Sequence, residues 1–185
     1  MRFKEKYQKE IVPALMKKLA YKNKMLAPRL NKVVINVGCG RHTKDKEFLA
    51  ALSNNLEKIT GQKIVFTLAK KSVSAFKIRE GMTVGAKVSL RGERMYDFVE
   101  KLVSITFPRV RDFRGISTKV VDRTGNMTIG FKDQSAFPEI KVEDMDNPFG
   151  VEISFSTTAK NREEGLELFR LFGFPFKPDN KKESK

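Results

Sequence analysis

The sequence predicts an α+β fold: an antiparallel sheet with helices packed on one face and the other face left open. First, three separated segments alternate with a period of two, placing Val33/Ile35/Val37, Ala86/Val88/Leu90 and Val151/Ile153/Phe155 on one side of each strand. Second, the opposite sides carry Asn36, Lys87/Ser89/Arg91 and Ser154/Ser156, so each strand is apolar on one face only. A doubly wound parallel sheet, covered on both faces, would show continuous apolar runs instead. Third, segments of helical periodicity separate the strands and give a β-α-β-β-α-β core with an insertion.

Residues 3 to 20 form the first helix. Phe3, Tyr7, Ile11, Leu15 and Leu19 make one apolar stripe, and Lys4, Lys6, Lys9, Lys17 and Lys18 supply the wet side. Pro13, which lacks an N–H and crowds the preceding turn, should bend or split this helix. Residues 25 to 28 connect it to the first strand, 29 to 38, whose KVVINVGCGR stretch is rich in β-branched residues. Gly38 and Gly40 end that strand and let a partner approach the backbone closely.

Residues 45 to 60 form the second helix, with Leu49, Leu52, Leu56 and Ile59 inward, Asp45 as N-cap and Gly61 just past the end. A strand at 62 to 68 follows. Residues 69 to 85 have no clear period and several cations, and read as a long exposed basic loop. A strand at 83 to 92 leads into a helix at 93 to 105, with Met95, Phe98, Leu102 and Ile105 inward and Pro108 as its breaker.

Residues 107 to 148 read as a loop-rich insertion holding one short strand, 126 to 132. Its first part, FPRVRDFRG, interleaves Arg109, Arg111 and Arg114 with Phe107, Val110 and Phe113. That pattern suits base stacking with phosphate contact, and equally suits a surface loop whose phenylalanines plug the core. Residues 133 to 148 are acidic, with Glu139, Glu143, Asp144 and Asp146, and should face away from a polyanion or touch a basic protein. After the strand at 150 to 159, Asn161 and Glu164 stand in capping-box positions of the last helix, which Gly173 and Pro175 stop. The polar tail, 177 to 185, is expected to fray.

The length of 185 residues suits a single domain spanning 1 to 185. Lysine and arginine number 37 against 22 acidic residues, a formal net charge of +15. Such a surplus draws polyanions, nucleic acid before anionic membrane. Cys39 is the only cysteine and His42 the only histidine. An intrachain disulfide and a Cys/His zinc site are excluded by counting, as is Cys-His or Ser-His-Asp catalysis away from residue 42. A chain without disulfides fits a reducing cytoplasm. Cys39 reads as a small filler at the strand end and His42 as a surface loop residue. No apolar run follows the N-terminal charges, so no secretory signal is expected, and no stretch approaches the roughly 18 apolar residues of a membrane span.

Two further function classes compete. VINVGCGR resembles the first motif of nucleoside-cofactor (S-adenosylmethionine) methyltransferases, a strand followed by Gly-x-Gly. Thr43 stands where the dinucleotide pattern needs glycine, and KIVFTLAK ends without the acid that would hold a ribose. Neither an enzyme nor a cofactor is therefore expected. A basic protein-interaction module, with its charge serving solubility, is the other class.

Four fragments occur in order along essentially the whole chain: VVINVGCG (33–40), GQKIVFTLAKKSVSAFKIREGMTVGAKVSLRG (61–92), FPRVRDFRG (107–115) and NREEGLELFRLFGFPF (161–176). Together they resemble the family of bacterial large-subunit ribosomal proteins that bind 5S rRNA. The resemblance implies that the sheet docks on 5S rRNA through Asn36, Gln62, Thr67, Ser89 and Arg91, with Gly38 and Gly40 giving close approach. It implies that Lys77, Arg79, Glu80, Gly81 and Met82 form a loop reaching the elbow of P-site tRNA. It also implies contacts with large-subunit rRNA, with neighbouring ribosomal proteins and with a protein of the small-subunit head, all in the cytoplasmic ribosome. This chain has Ser89 where the family more often has threonine, which keeps the hydroxyl. It has Thr83 where proline is common, which loosens the loop.

Overall fold

The structure, a computed structural model, describes residues 3–40, 42–43, 45–140 and 148–178. At its centre is a five-stranded sheet: β1 Leu30–Gly38, β2 Val65–Leu68, β3 Thr83–Leu90, β4 Met127–Phe131 and β5 Val151–Thr157. The spatial order is β2-β3-β1-β5-β4, and every neighbouring pair is antiparallel. The short strand of the supposed insertion therefore belongs to the sheet itself: β4 pairs with β5 and forms one edge.

The inward residues are those the alternation names. Val33, Ile35, Val37, Ala86, Val88, Leu90, Val151, Ile153 and Phe155 are all buried. Helices cover them. Lys46–Thr60 contributes Phe48, Leu52, Leu56 and Ile59, Gly92–Lys101 contributes Met95, Phe98 and Val99, and Arg162–Leu171 contributes Leu168 and Phe169. Phe155, Phe169 and Phe174 meet edge to face with centroids 5.8, 5.3 and 5.3 Å apart. Burying each such side chain contributes about 1.5–3 kcal/mol. The N-terminal helix stacks Phe3 and Tyr7 on Phe172, and Tyr7 against Tyr96 of the Gly92–Lys101 helix.

Both helix-breaking prolines are absorbed rather than obeyed. The N-terminal helix runs as Phe3–Lys6, a π turn Tyr7–Ile11 and Val12–Lys18, with Pro13 in the first turn of the last piece. The helix after β3 repeats the device: Gly92–Lys101, a π turn Leu102–Thr106, then Phe107–Arg109 with Pro108 in its first turn. A widened turn relieves the clash between the proline ring and the carbonyl four residues back, so the helix continues instead of breaking. The π turn also shifts the helical phase. Ile105, expected inward, is 44% exposed, and Thr106 is buried in its place.

The caps divide. Asp45 accepts a hydrogen bond from the Phe48 N–H and Gly61 ends that helix at φ 64°, both as expected. Asn161 makes no side-chain cap. Glu164 is drawn instead to the Lys160 N–H and the Tyr21 hydroxyl. Acceptance by that carboxylate, with some burial, pushes the Tyr21 phenol up to about 12.

The acidic stretch is tied inward where it is described. Phe137 and Ile140 are buried, and Glu139 pairs with Lys101. Glu143, Asp144 and Asp146 lie outside the described residues. The tail is anchored further than expected, because the Lys177 N–H donates to the Ile116 carbonyl. Residues 179 to 185 lie outside the described residues.

Candidate nucleic-acid interface

The face of the sheet turned away from the helices is built from the alternate residues of each strand. Strand register arranges them in rows. Ser89, Val34, Ser154 and Thr128 stand opposite one another across β3, β1, β5 and β4. Val65, Lys87, Asn36, Glu152 and Gly130 form a row across all five strands. Thr67, Gly85 and Gly38 form a third across β2, β3 and β1. The surface mixes glycines and short polar side chains with Val34, the exposed Val65 and Glu152, and Lys32 and Lys87 are its cations.

Asn36, Thr67, Ser89 and Gly38 thus share one face on three adjacent strands. Gln62 joins them from just before β2, its amide donating to the Ser89 carbonyl at 3.4 Å. The strand read at 62 to 68 is shorter than expected, and Gln62 and Lys63 precede it. Arg91 is not a strand residue either: β3 ends at Leu90, and Arg91 sits exposed at the entry to the next helix. It stands at the rim of the face rather than within it.

The three glycines differ in what they do. A Cβ at Gly85 would lie 2.9 Å from the Thr67 hydroxyl and from the Val37 carbonyl, so that position is fixed by the sheet's own packing. A Cβ at Gly38 or Gly40 would meet nothing within 4 Å, and neither has a positive φ. Nothing inside the protein requires those two glycines, and the room they leave opens outward. Between them Cys39 is buried, its N–H bonded to Val84, and burial raises its thiol pKa. His42 is exposed and stacks on Phe48 at 4.3 Å.

The basic segment after β2 is a folded finger, not an irregular loop. Ala69 and Met82 close its base, Gly81 donates to the Ala69 carbonyl, and Val73 and Ile78 exchange two backbone bonds. Ser72 Oγ accepts from the Glu80 N–H. Lys77 takes a left-handed conformation at φ 53°, and Phe76 beside it is 74% exposed. An open groove of about 760 Å³ runs along the finger, lined by Ser72, Ser74, Lys77, Ile78, Arg79 and Met82. Sequence reasoning did not single out Phe76, an exposed aromatic directly before Lys77.

Arg109, Arg111 and Arg114 are exposed but lie elsewhere. Their segment is pinned by Phe107, which packs on Phe131 and Phe174 on the helix side of the sheet. Phe107 plugs the core, and Phe113, 36% exposed, stacks on it at 5.3 Å. The sequence-predicted residues therefore occupy three places: the open face, the finger and this arginine segment. Among the described residues no cluster of three or more His, Cys, Asp or Glu could hold a metal ion, and no helix is long and apolar enough to cross a membrane.

Two family models match the chain in succession, ribosomal protein L5 over residues 23–79 and the C-terminus of that same ribosomal protein family over residues 83–176. The large ribosomal subunit protein uL5 of Heliobacterium modesticaldum is 51% identical over 178 residues, covering 96% of this chain and 99% of that protein. Those of Halothermothrix orenii and Carboxydothermus hydrogenoformans are 52% and 50% identical, covering 93% and 95% of this chain and 96% and 98% of theirs. The chain belongs to the uL5 family of large-subunit ribosomal proteins. It is a structural, non-enzymatic constituent of the large subunit, a ribonucleoprotein component of translation in the cytoplasmic ribosome. The methyltransferase reading of VINVGCGR falls with that membership and with the antiparallel sheet. The seam between the two uL5 models falls at the end of the finger, yet β1 of the first stretch lies between β3 and β5 of the second.

Proposed function

We propose that the open face of the sheet docks on 5S rRNA, while the finger reaches P-site tRNA in the assembled ribosome. Arg109, Arg111 and Arg114 add contacts to large-subunit rRNA, and neighbouring proteins, including one of the small-subunit head, complete the surroundings. The observation that carries this reading is the convergence of Asn36, Thr67 and Ser89 on three adjacent strands, beside glycines whose outward space the protein leaves unfilled.

The chemistry fits folded RNA better than a bare polyanion. Short amide and hydroxyl side chains reach sugar hydroxyls and base edges in a wide, shallow minor groove or a splayed loop. Cations at the rim neutralise phosphates and release counterions, which supplies affinity without sequence reading. Arg91 directly follows β3, two residues after Ser89, and is exposed. Arg91→Ala should weaken 5S rRNA binding by about 1–3 kcal/mol, the scale of a lost charge-assisted hydrogen bond. Titration of a 5S transcript at fixed salt measures it, and an unchanged dissociation constant removes Arg91 from the interface.

A further inference from the structure

The open face carries a carboxylate near its middle. Glu152 stands on β5 directly opposite Asn36 on β1 and opposite Gly130 on β4, and it is exposed. Among the described residues its carboxylate has no hydrogen-bond or ion-pair partner. Lys87 lies in the same row but two strands away, about 10 Å at the backbone, with Asn36 between them. On the other side a Cβ at Gly130 would meet nothing within 4 Å, so the carboxylate borders an open notch.

A carboxylate in a phosphate-binding surface is a local penalty, since it repels the polymer and weakens every non-specific contact. It is useful there only toward hydrogen-bond donors, and of those RNA offers, ribose hydroxyls are the same on every nucleotide while N–H groups on base edges distinguish one base from another. Ionised glutamate offers two acceptor oxygens and no donor. Guanine is the base whose Watson–Crick edge presents two adjacent donors, N1–H and the N2 amino group, beside the O6 acceptor. The Glu152 carboxylate can take both donors in parallel, and the Asn36 amide one strand away can donate to O6. Adenine, cytosine and uracil each place an acceptor where the second donor is needed. RNA presents such edges in loops and bulges, where bases are unpaired.

We propose that Glu152, together with Asn36, reads an unpaired guanine of the docked RNA and is a specificity-determining residue of the interface. This rests on the docking reading above. Glu152→Gln tests it, because electrostatics and base reading predict opposite signs. Removing one negative charge should, on charge alone, tighten binding to every RNA. The proposal requires about tenfold weaker binding to a 5S transcript, the scale of one lost bidentate base contact. An unrelated structured RNA of equal length should be bound at least as tightly as before. Kethoxal, which reacts at guanine N1 and N2, should find at least one guanine protected by the wild-type protein and reactive with the variant. An unchanged melting temperature shows that the exposed substitution leaves the fold intact.

If Glu152→Gln binds 5S rRNA as tightly as wild type or tighter, or keeps every guanine protection, Glu152 does not read a base. If it loses affinity equally for both RNAs, it does not set specificity. If the wild-type protein itself fails to prefer 5S rRNA over the unrelated RNA, the docking reading fails, and this inference fails with it.

Discussion

Asp122 organises the turn before β4 almost alone. Its carboxylate accepts hydrogen bonds from the Thr124 N–H and hydroxyl at 2.9 and 3.0 Å, and from the Asn126 N–H and side-chain amide at 2.7 and 3.2 Å. Desolvation pushes its pKa up, but these bonds outweigh that and hold it below the ordinary value. A depressed carboxyl contributes stability above the unfolded-chain value of about 3.9 and loses it as pH falls through the lower folded value. Asp122→Ala should therefore cost about 1 kcal/mol at pH 7, a modest figure because the site is solvent-exposed. Urea melts at pH 7 and pH 3 check it. The gap between variant and wild type should narrow at pH 3, and an equal gap at both would remove the charge from the explanation. Sequence reading passes over this turn because the Asp-Arg-Thr-Gly-Asn run has no periodicity. It passes over Glu152 for a different reason: alternation puts the residue between Val151 and Ile153 on the open side, but only the strand register sets it opposite Asn36 and Gly130.

At the level of elements, strands are legible in the sequence and helices only partly so. A period of two survives into the structure because strand register leaves no freedom, as Val33, Ile35 and Val37 show by facing Leu90, Val88 and Ala86. Helix phase is lost wherever a π turn intervenes, because proline is visible in sequence but the turn that accommodates it is not. The finger between β2 and β3 is illegible for a third reason: its order comes from backbone bonds such as Val73 to Ile78, which leave no side-chain pattern. A finger closed by its own backbone bonds has a functional consequence. Lys77 and Arg79 project from it and not from the open sheet face, so changing both to alanine should leave binding to isolated 5S rRNA nearly intact, well short of the loss expected for Arg91→Ala. Filter binding with the double variant checks this, and a loss on the scale predicted for Arg91→Ala would erase the division of labour between finger and sheet.

For the whole molecule, the proposed docking would separate stability from recognition between the two faces of the sheet. The inner face and its helices hold the fold through Phe155, Phe169 and Leu56, while the outer face leaves Asn36, Lys87, Glu152 and Val65 exposed. Fold class and the existence of that face are legible from alternation. The charge of +15 points to a polyanion but not to where it sits, since among the described residues the cations are spread over helices, the finger and the rims. Lysine reactivity tells the two locations apart. Lys87 lies within the open face, and Lys9 and Lys17 lie on the exposed side of the N-terminal helix. With 5S rRNA bound, acetylation footprinting should show Lys87 protected while Lys9 and Lys17 keep their free-protein reactivity; protection of the helix lysines with Lys87 still reactive would contradict docking through the sheet.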